Sequence, residues 1–281
     1  MASDTKVDRV QDTARWVAIA RARESERPDA LFKDPYAHQL GGQVGEELAA
    51  QLWKTTGSWP IVARTWLIDR IVRDAVQDGV DAVLNLAAGL DTRPQRMELP
   101  ATLTWIEVDH ADIFADKEAV LLGAQAHCRL ERVPLDLSVE ADRRTLLLDV
   151  GTRFKRVLVL TEGLLPYLPE ALAMTLAQDI RSTSHLDRWV FDLPNQAALH
   201  YVAKQTHHAL QGTAQMRFGP DQGPRVFESL GFQIQAATSI FKTAGKLKRL
   251  PFPMWLFAML PEPSLGDPRR PWSGVCVLRP V

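Results

Sequence analysis

Only two cysteines, Cys128 and Cys276, occur in the 281 residues. They lie far apart among apolar neighbours, so neither a disulfide scaffold nor a clustered metal site is built from them. Both read as buried structural thiols in strands. Neither sign of charge is in excess: 33 Lys and Arg against 34 Asp and Glu leave a formal charge of -1. The signs are interspersed, so the basic footprint of a nucleic-acid binder is missing. No apolar run is long enough to cross a bilayer, and the opening Met1-Ala-Ser-Asp-Thr-Lys-Val-Asp is too polar for a secretory signal, which reads as a soluble cytoplasmic protein. A G-x-G-x-x-G pattern is also absent, and Tyr201 and Lys204 are one residue too close for a Tyr-x-x-x-Lys pair. Both absences weaken a nicotinamide reading. The histidines and acids make no ligand spacing, so no metal is expected.

With 46% apolar residues the chain can bury one full α/β core, read here as a single domain over residues 1–281. It divides into an N-terminal helical cap over about 10–78, a sheet from about 81 to the end, a cap insertion over about 195–224 and a long link over about 241–272. The organising stretch is 81–93. Val83, Leu84 and Leu86 form a buried strand, Ala87, Ala88 and Gly89 remove side-chain bulk where it ends, and Asp91 with Thr92 can cap the next helix. A backbone-lined turn at the end of a first parallel strand is the expected floor of a ligand site. The second strand, 103–109, ends in acid about 20 residues beyond that turn, the offset at which a carboxylate grips a ribose diol. Asp109 is the first candidate for that role and Glu107 the substitute.

Further elements follow from periodicity. Helices are expected over 13–27 and 32–42, the latter with Asp34 as N-cap and Pro35 in its first turn. Trp53, Trp59 and Pro60 read as an irregular connection, and 61–78 as an amphipathic helix burying Val62, Trp66, Leu67, Ile68, Ile71 and Val72. Residues 110–122 read as a helix with Ile113, Ala119, Val120 and Leu122 on its inner side. Strands are expected over 128–135, 156–161 and 189–193, with helices over 139–149 and 169–183 between them. Asp136 is either the N-cap of the 139–149 helix or a ligand. Glu162 ends an unbroken Val-Leu-Val-Leu strand, where a charge faces the ligand crevice or caps the next turn. Outer strands over 232–240 and 274–278 suit an antiparallel edge. The link between them carries a basic stretch before an apolar one, which reads as a lid or a homo-oligomer contact in preference to a membrane contact.

Four stretches in order, Asn85-Leu-Ala-Ala-Gly-Leu-Asp-Thr-Arg93, Glu107-Val-Asp-His110, Pro134-Leu-Asp-Leu137 and Thr161-Glu-Gly-Leu-Leu-Pro-Tyr-Leu168, resemble the successive signatures of the leucine carboxyl methyltransferase-like family. Thr13-Ala-Arg-Trp-Val-Ala and Phe32-Lys-Asp-Pro-Tyr-Ala37 resemble its bacterial branch, which includes polyketide O-methyltransferases. The resemblance implies a class I, Rossmann-like methyltransferase fold: a seven-stranded, mostly parallel sheet with an antiparallel last strand. It also implies S-adenosylmethionine as cofactor. It further implies that Ala87, Ala88, Gly89, Asp91 and Arg93 floor the cofactor site, with Asp109 or Glu107 at the ribose. Arg64, by itself a solvated helix charge, then holds the methionyl carboxylate, Asp136 and Leu137 bracket the adenine, and Glu162 lines the reacting centre with Tyr167 walling the acceptor. Methyltransferases generally carry Gly at the position of Ala87 and an acid at that of Asn85, so Glu162 takes over part of the ammonium's environment here.

The chemistry implied is O-methylation of a small apolar natural product, with a carboxylate acceptor slightly favoured because it needs no base. A hydroxyl acceptor would need one, for which His110, His200, His207 and His208 are the candidates. A nicotinamide oxidoreductase and a non-catalytic S-adenosylmethionine-binding protein are the competing classes.

Overall fold

Two-sided burial sets the order of the sheet. In the computed structural model, which describes residues 10–53, 57–206, 215–262, 265, 267 and 269–281, seven strands form one sheet: β1 (Ala82–Leu86), β2 (Thr104–Asp109), β3 (Arg129–Pro134), β4 (Val157–Thr161), β5 (Leu186–Pro194), β6 (Phe232–Ser239) and β7 (Ser273–Pro280). Their order is β3-β2-β1-β4-β5-β7-β6. The first five strands pair in parallel and β7 runs antiparallel between β5 and β6. Every residue of β1, β2 and β4 is buried, whereas edge strand β3 is half-exposed. Central parallel strands covered on both faces favour mostly apolar sequence, which β4 carries as Val-Leu-Val-Leu and which Asn85 in β1 and Glu107 in β2 interrupt.

Alternation divides the core in two. Leu84, Leu86, Ile106, Val108, Val157 and Val159 point to one face, and Val83, Trp105, Leu158 and Leu160 to the other. The helices are α1 (Val10–Glu26), α2 (Ala37–Leu52), α3 (Trp59–Gln77), α4 (Arg93–Arg96), α5 (Ala111–Val120), α6 (Glu140–Arg153), α7 (Glu170–Arg181), α8 (Gln196–Thr206), α9 (Ile240–Lys246) and α10 (Met254–Phe257). α6 and α7 cover the first face, together with Phe227 of a 3-10 turn at Gly223–Leu230. α3 and α9 cover the second, and α1 pairs with α2 beside the strand ends.

Several expectations are corrected. Asp34 does not cap α2, whose N-cap is Tyr36; it is buried and takes Arg21 Nε at 2.8 Å and the Thr92 hydroxyl at 2.6 Å. Thr92 is therefore not a side-chain cap of α4 either. Trp59 and Pro60 open α3 instead of lying in a loop, as Pro in a helical first turn allows. The inner residues of α5 are Phe114 and Lys117, and Leu122 is exposed, because the buried acid Glu107 draws the Lys117 ammonium inward at 2.7 Å. Asp136 accepts from the Ser138 amide, and the N-cap of α6 is Val139. Cys128 just precedes β3; both thiols are free and buried, and burial raises Cys128 to about 11. The 241–272 link contains α10 and most of α9.

One aromatic cluster joins the parallel and antiparallel parts. Trp189 packs on Phe191, Phe227 and Phe232 at centroid distances of 4.4, 4.9 and 5.3 Å, and its indole N–H donates to Thr161 Oγ1 at 3.0 Å. Trp189→Ala should destabilise the protein by about 3–5 kcal/mol, since it opens a cavity and orphans the threonine hydroxyl. Urea unfolding of the variant measures this directly.

Candidate functional site

Strand order reverses between β1 and β4, which is where the crevice of an open α/β sheet forms. A pocket of about 410 Å³ lies there, walled by the ends of β1, β2, β4 and β5 and by α1, α3, the 3-10 turn Leu165–Tyr167 and α8. The turn after β1 is its floor. Ala87 holds φ +56 and Gly89 φ +49, so a residue with a side chain takes a left-handed conformation that costs on the order of 1–2 kcal/mol. Backbone strain of this kind persists where the surroundings over-determine it. The Gly89 amide donates to Asp109 Oδ2, and the His110 amide to Asp109 Oδ1, each at 2.7 Å. Burial raises the Asp109 pKa while those two amides oppose it. Each carboxylate oxygen keeps a further lone pair for a ligand hydroxyl.

Behind the floor runs a chain of ion pairs. Arg93 Nη1 lies 2.8 Å from both Asp91 Oδ2 and Glu162 Oε2, and Arg93 Nε 2.7 Å from Asp69 Oδ1. Asp69 also takes both terminal nitrogens of Arg96 at 2.7 Å. Asn85 donates to Asp91 at 2.9 Å. Arg64 Nε meets Glu162 Oε1, and Arg64 Nη1 meets Asp192 Oδ2, both at 2.9 Å; Asp192 Oδ1 accepts from the Gly163 amide at 2.6 Å. Burial would raise the carboxyl of Glu162, but Arg93 and Arg64 hold it below the usual range, and Arg93, helped by Lys117 and Arg96, does the same for Asp91. Burial works against the Arg64 charge, yet Asp192 and Glu162 raise its pKa. Tyr167 is pushed up by burial.

The structure thus gathers Arg64, Ala87, Ala88, Gly89, Asp91, Arg93, Asp109, His110, Asp136, Leu137, Glu162 and Tyr167 in one lining. Glu107 stands apart and is corrected: wholly buried, it is bound by Lys117 Nζ at 2.7 Å and Arg132 Nε at 3.0 Å and takes no part in the pocket. His200 is corrected as well, for it is exposed on α8, next to Gln196 and outside the lining. His207 and His208 lie outside the described residues.

Sequence reasoning passed over Asp192, although an acid in the apolar strand end Phe191-Asp192-Leu193 is the same signal that marked Glu162. It also passed over Thr65, a pocket-lining residue whose buried hydroxyl has no hydrogen-bond partner among the described residues. The remaining wall is apolar and includes Trp16, Val17, Ile61, Leu168, Leu172 and Val202.

A sequence profile of the leucine carboxyl methyltransferase family matches residues 14–181. A protein of Streptomyces avermitilis, provisionally named an S-adenosyl-L-methionine-dependent methyltransferase, is 35% identical over 187 residues, which is 61% of this chain and 66% of its own. A Frankia alni protein with the same provisional name is 34% identical over 200 residues, 64% of this chain and 70% of its own. The match to the first of these therefore spans just under two thirds of its length. Among solved structures, a provisionally assigned methyltransferase from Thermobifida fusca superposes with a TM-score of 0.57 at 15% identity, covering 92% of this chain and 96% of that one. A DUF574-family protein from Streptomyces avermitilis gives 0.56 at 14% identity, covering 94% and 96%. The shared fold is the seven-stranded class I methyltransferase sheet.

Separating Glu107 from the site has a measurable consequence. Glu107→Ala leaves Lys117 buried without its carboxylate and should cost about 3–5 kcal/mol of stability. Ligand affinity of the fraction that stays folded should be unchanged, which urea unfolding and calorimetry on the same preparation will read.

Proposed function

The chain belongs to the leucine carboxyl methyltransferase family, and we propose that it transfers the methyl group of S-adenosylmethionine to an oxygen of a small, largely apolar acceptor. The observation that supports this is one pocket with two ends: strand-end acids and bulk-free turn backbone on one side, an apolar wall from the helices on the other. The residues fit the cofactor. Its adenosine needs a carboxylate and a floor without side chains, as Asp109 and the Ala87–Gly89 turn provide. The unpartnered Thr65 hydroxyl is a further polar group for it to engage.

When bound, S-adenosylmethionine would supply a sulfonium methyl whose carbon an acceptor oxygen attacks in line, the O–C bond forming as the C–S bond breaks and S-adenosylhomocysteine leaves. Asp109 binds the ribose hydroxyls while keeping its bonds to the two amides, and Asp136 with Leu137 brackets the adenine. Arg64 offers the methionyl carboxylate its Nη2 edge, which carries no protein bond among the described residues, while Glu162 and Asp192 hold the guanidinium in place. Glu162 and Asp192 also put negative charge beside a cationic group. The helices exclude water, which strengthens each of these interactions.

The carboxylate reading of the acceptor remains the leading one. A carboxylate is ionised at neutral pH, and His110 lies beside Asp109 and Asp136, at the adenosine end. One observation favours the hydroxyl reading: the described lining holds five acids (Asp91, Asp109, Asp136, Glu162 and Asp192) against three arginines (Arg21, Arg64 and Arg93). A neutral acceptor adds no further negative charge to that surplus. A polyketide-like compound could carry either group.

Two measurements test the assignment. Asp109→Ala should weaken S-adenosylmethionine binding roughly a hundredfold through the loss of charge-assisted hydrogen bonds; unchanged affinity by calorimetry in a folded variant would overturn the ribose role. For the acceptor, Glu162 stays ionised and Tyr167 stays protonated across the neutral range because of the directions of their shifts. A carboxylate acceptor, with a reference pKa near 4, should therefore give a single-turnover rate that is flat from about pH 6 to 9. A hydroxyl acceptor should instead give a rate that climbs with pH, with one of His110→Ala, His207→Ala or His208→Ala costing on the order of 10²-fold.

A further inference from the structure

The 240–261 segment shows a feature that methyl transfer leaves unexplained. It carries Lys242, Lys246, Lys248 and Arg249 and no acid. Arg249 is neutralised by Glu24 and Asp29. The three lysines form no ion pair among the described residues; Lys242 Nζ donates to the Leu260 carbonyl, and Lys246 and Lys248 are exposed. Beyond them Phe252, Trp255, Leu256, Phe257, Met259 and Leu260 all face solvent, with Phe252 80%, Met259 73% and Phe257 60% exposed. Large apolar side chains clustered in this way mark an interaction surface.

This surface is firmly based. A Cβ on Gly245 would fall 2.6 Å from that of Ala258, so the α10 segment lies directly against α9. Lys242 and Lys246 share one groove with Trp255, Met259 and Glu262, whose carboxylate accepts from the Trp272 indole. Phe241 packs edge-on against Trp59 at 5.6 Å, and the neighbouring Pro60 and Ile240 line the main pocket.

We infer that this protein docks on an anionic membrane surface through the exposed rings of Phe252, Trp255 and Phe257, with Lys242, Lys246 and Lys248 at the headgroups. Aromatic and aliphatic side chains on a lysine-rimmed face are the pattern that lies in a bilayer interface, where the rings enter the acyl boundary and ammonium groups stay with lipid phosphates. The charge selects the occupant. A second copy joined through the same patch by a two-fold axis would bring two patches of like positive charge together, whereas anionic lipid adds roughly fivefold in affinity per lysine. No helix among the described residues is long and apolar enough to cross a membrane, so the contact is peripheral.

The test uses the full chain with two vesicle types, pure phosphatidylcholine and phosphatidylcholine mixed with phosphatidylglycerol, read by co-sedimentation. We expect the protein to bind the anionic vesicles at least about tenfold more tightly and to be released by about 0.5 M salt. The double variant F252E/F257E should lose about tenfold or more, and K246E/K248E should lose the preference for anionic lipid, with both folds checked by circular dichroism. The substituted side chains are exposed, so both variants should fold. Equal binding to the two vesicle types, no binding, or unchanged binding by F252E/F257E would each overturn the inference. So would a dimer, seen by light scattering without lipid, that F252E/F257E dissociates, or binding of poly-glutamate in place of vesicles; these outcomes would assign the face to a second copy or to an acidic protein.

Discussion

Arg93 is held by three carboxylates at once, and the whole ligand end of the sheet depends on that arrangement. Asp69 comes from α3, Asp91 from the turn after β1 and Glu162 from the end of β4, so one guanidinium fixes three elements at one point. Arg64 extends the same chain to Asp192 on β5. Fully buried charges are tolerated only in such mutual arrangements, because an unpaired ion in a low-dielectric interior costs several kcal/mol. The network therefore acts as a constraint as much as a source of stability. If α3 shifted, Arg64 would leave Asp192 without its cation and Glu162 with Arg93 alone. This explains how a turn with Ala87 at positive φ is held in shape, and why the acids beside the pocket are fixed before any ligand arrives.

The legible parts of this protein are those where local sequence and tertiary demand coincide. β1, β2 and β4 are buried on both faces, so their apolar runs had no competing reading, and the acids that end β2 and β4 stand out against them. The turn at Ala87, Ala88 and Gly89 is visible because side-chain bulk is missing there. What was not legible is set by distant partners. Asp34 has the composition of a cap, yet Arg21 and Thr92, remote in sequence, take its carboxylate. Glu107 and Asp109 are two residues apart in one strand, and only the positions of Lys117 and Arg132 assign the first to the interior and leave the second to the pocket. α5 was read on its apolar residues, but a buried lysine defines its inner face. Asp192 carried the same mark as Glu162 and was missed because the acid lies within the strand, before its closing Leu193-Pro194.

The division of labour within the pocket follows from the fold. The sheet and its turns supply the charged end, and apart from Asp192 on β5 these segments fall inside residues 14–181, where the family profile matches. Part of the apolar wall lies outside that range: Leu193, Pro194, Ala198, Val202, Met216 and Ile240 belong to β5, α8, the stretch after it and α9. The strand-end acids are tied to one another through Arg93 and Arg64, whereas a helix laid over the crevice can exchange one apolar side chain for another and change only the shape it presents. On the proposed reading the charged end takes the cofactor and the apolar wall the acceptor, which is why four ordered motifs identify the family and leave the acceptor to be found by measurement. The apolar character of that wall fits, on the reading proposed above, an acceptor with a hydrocarbon body.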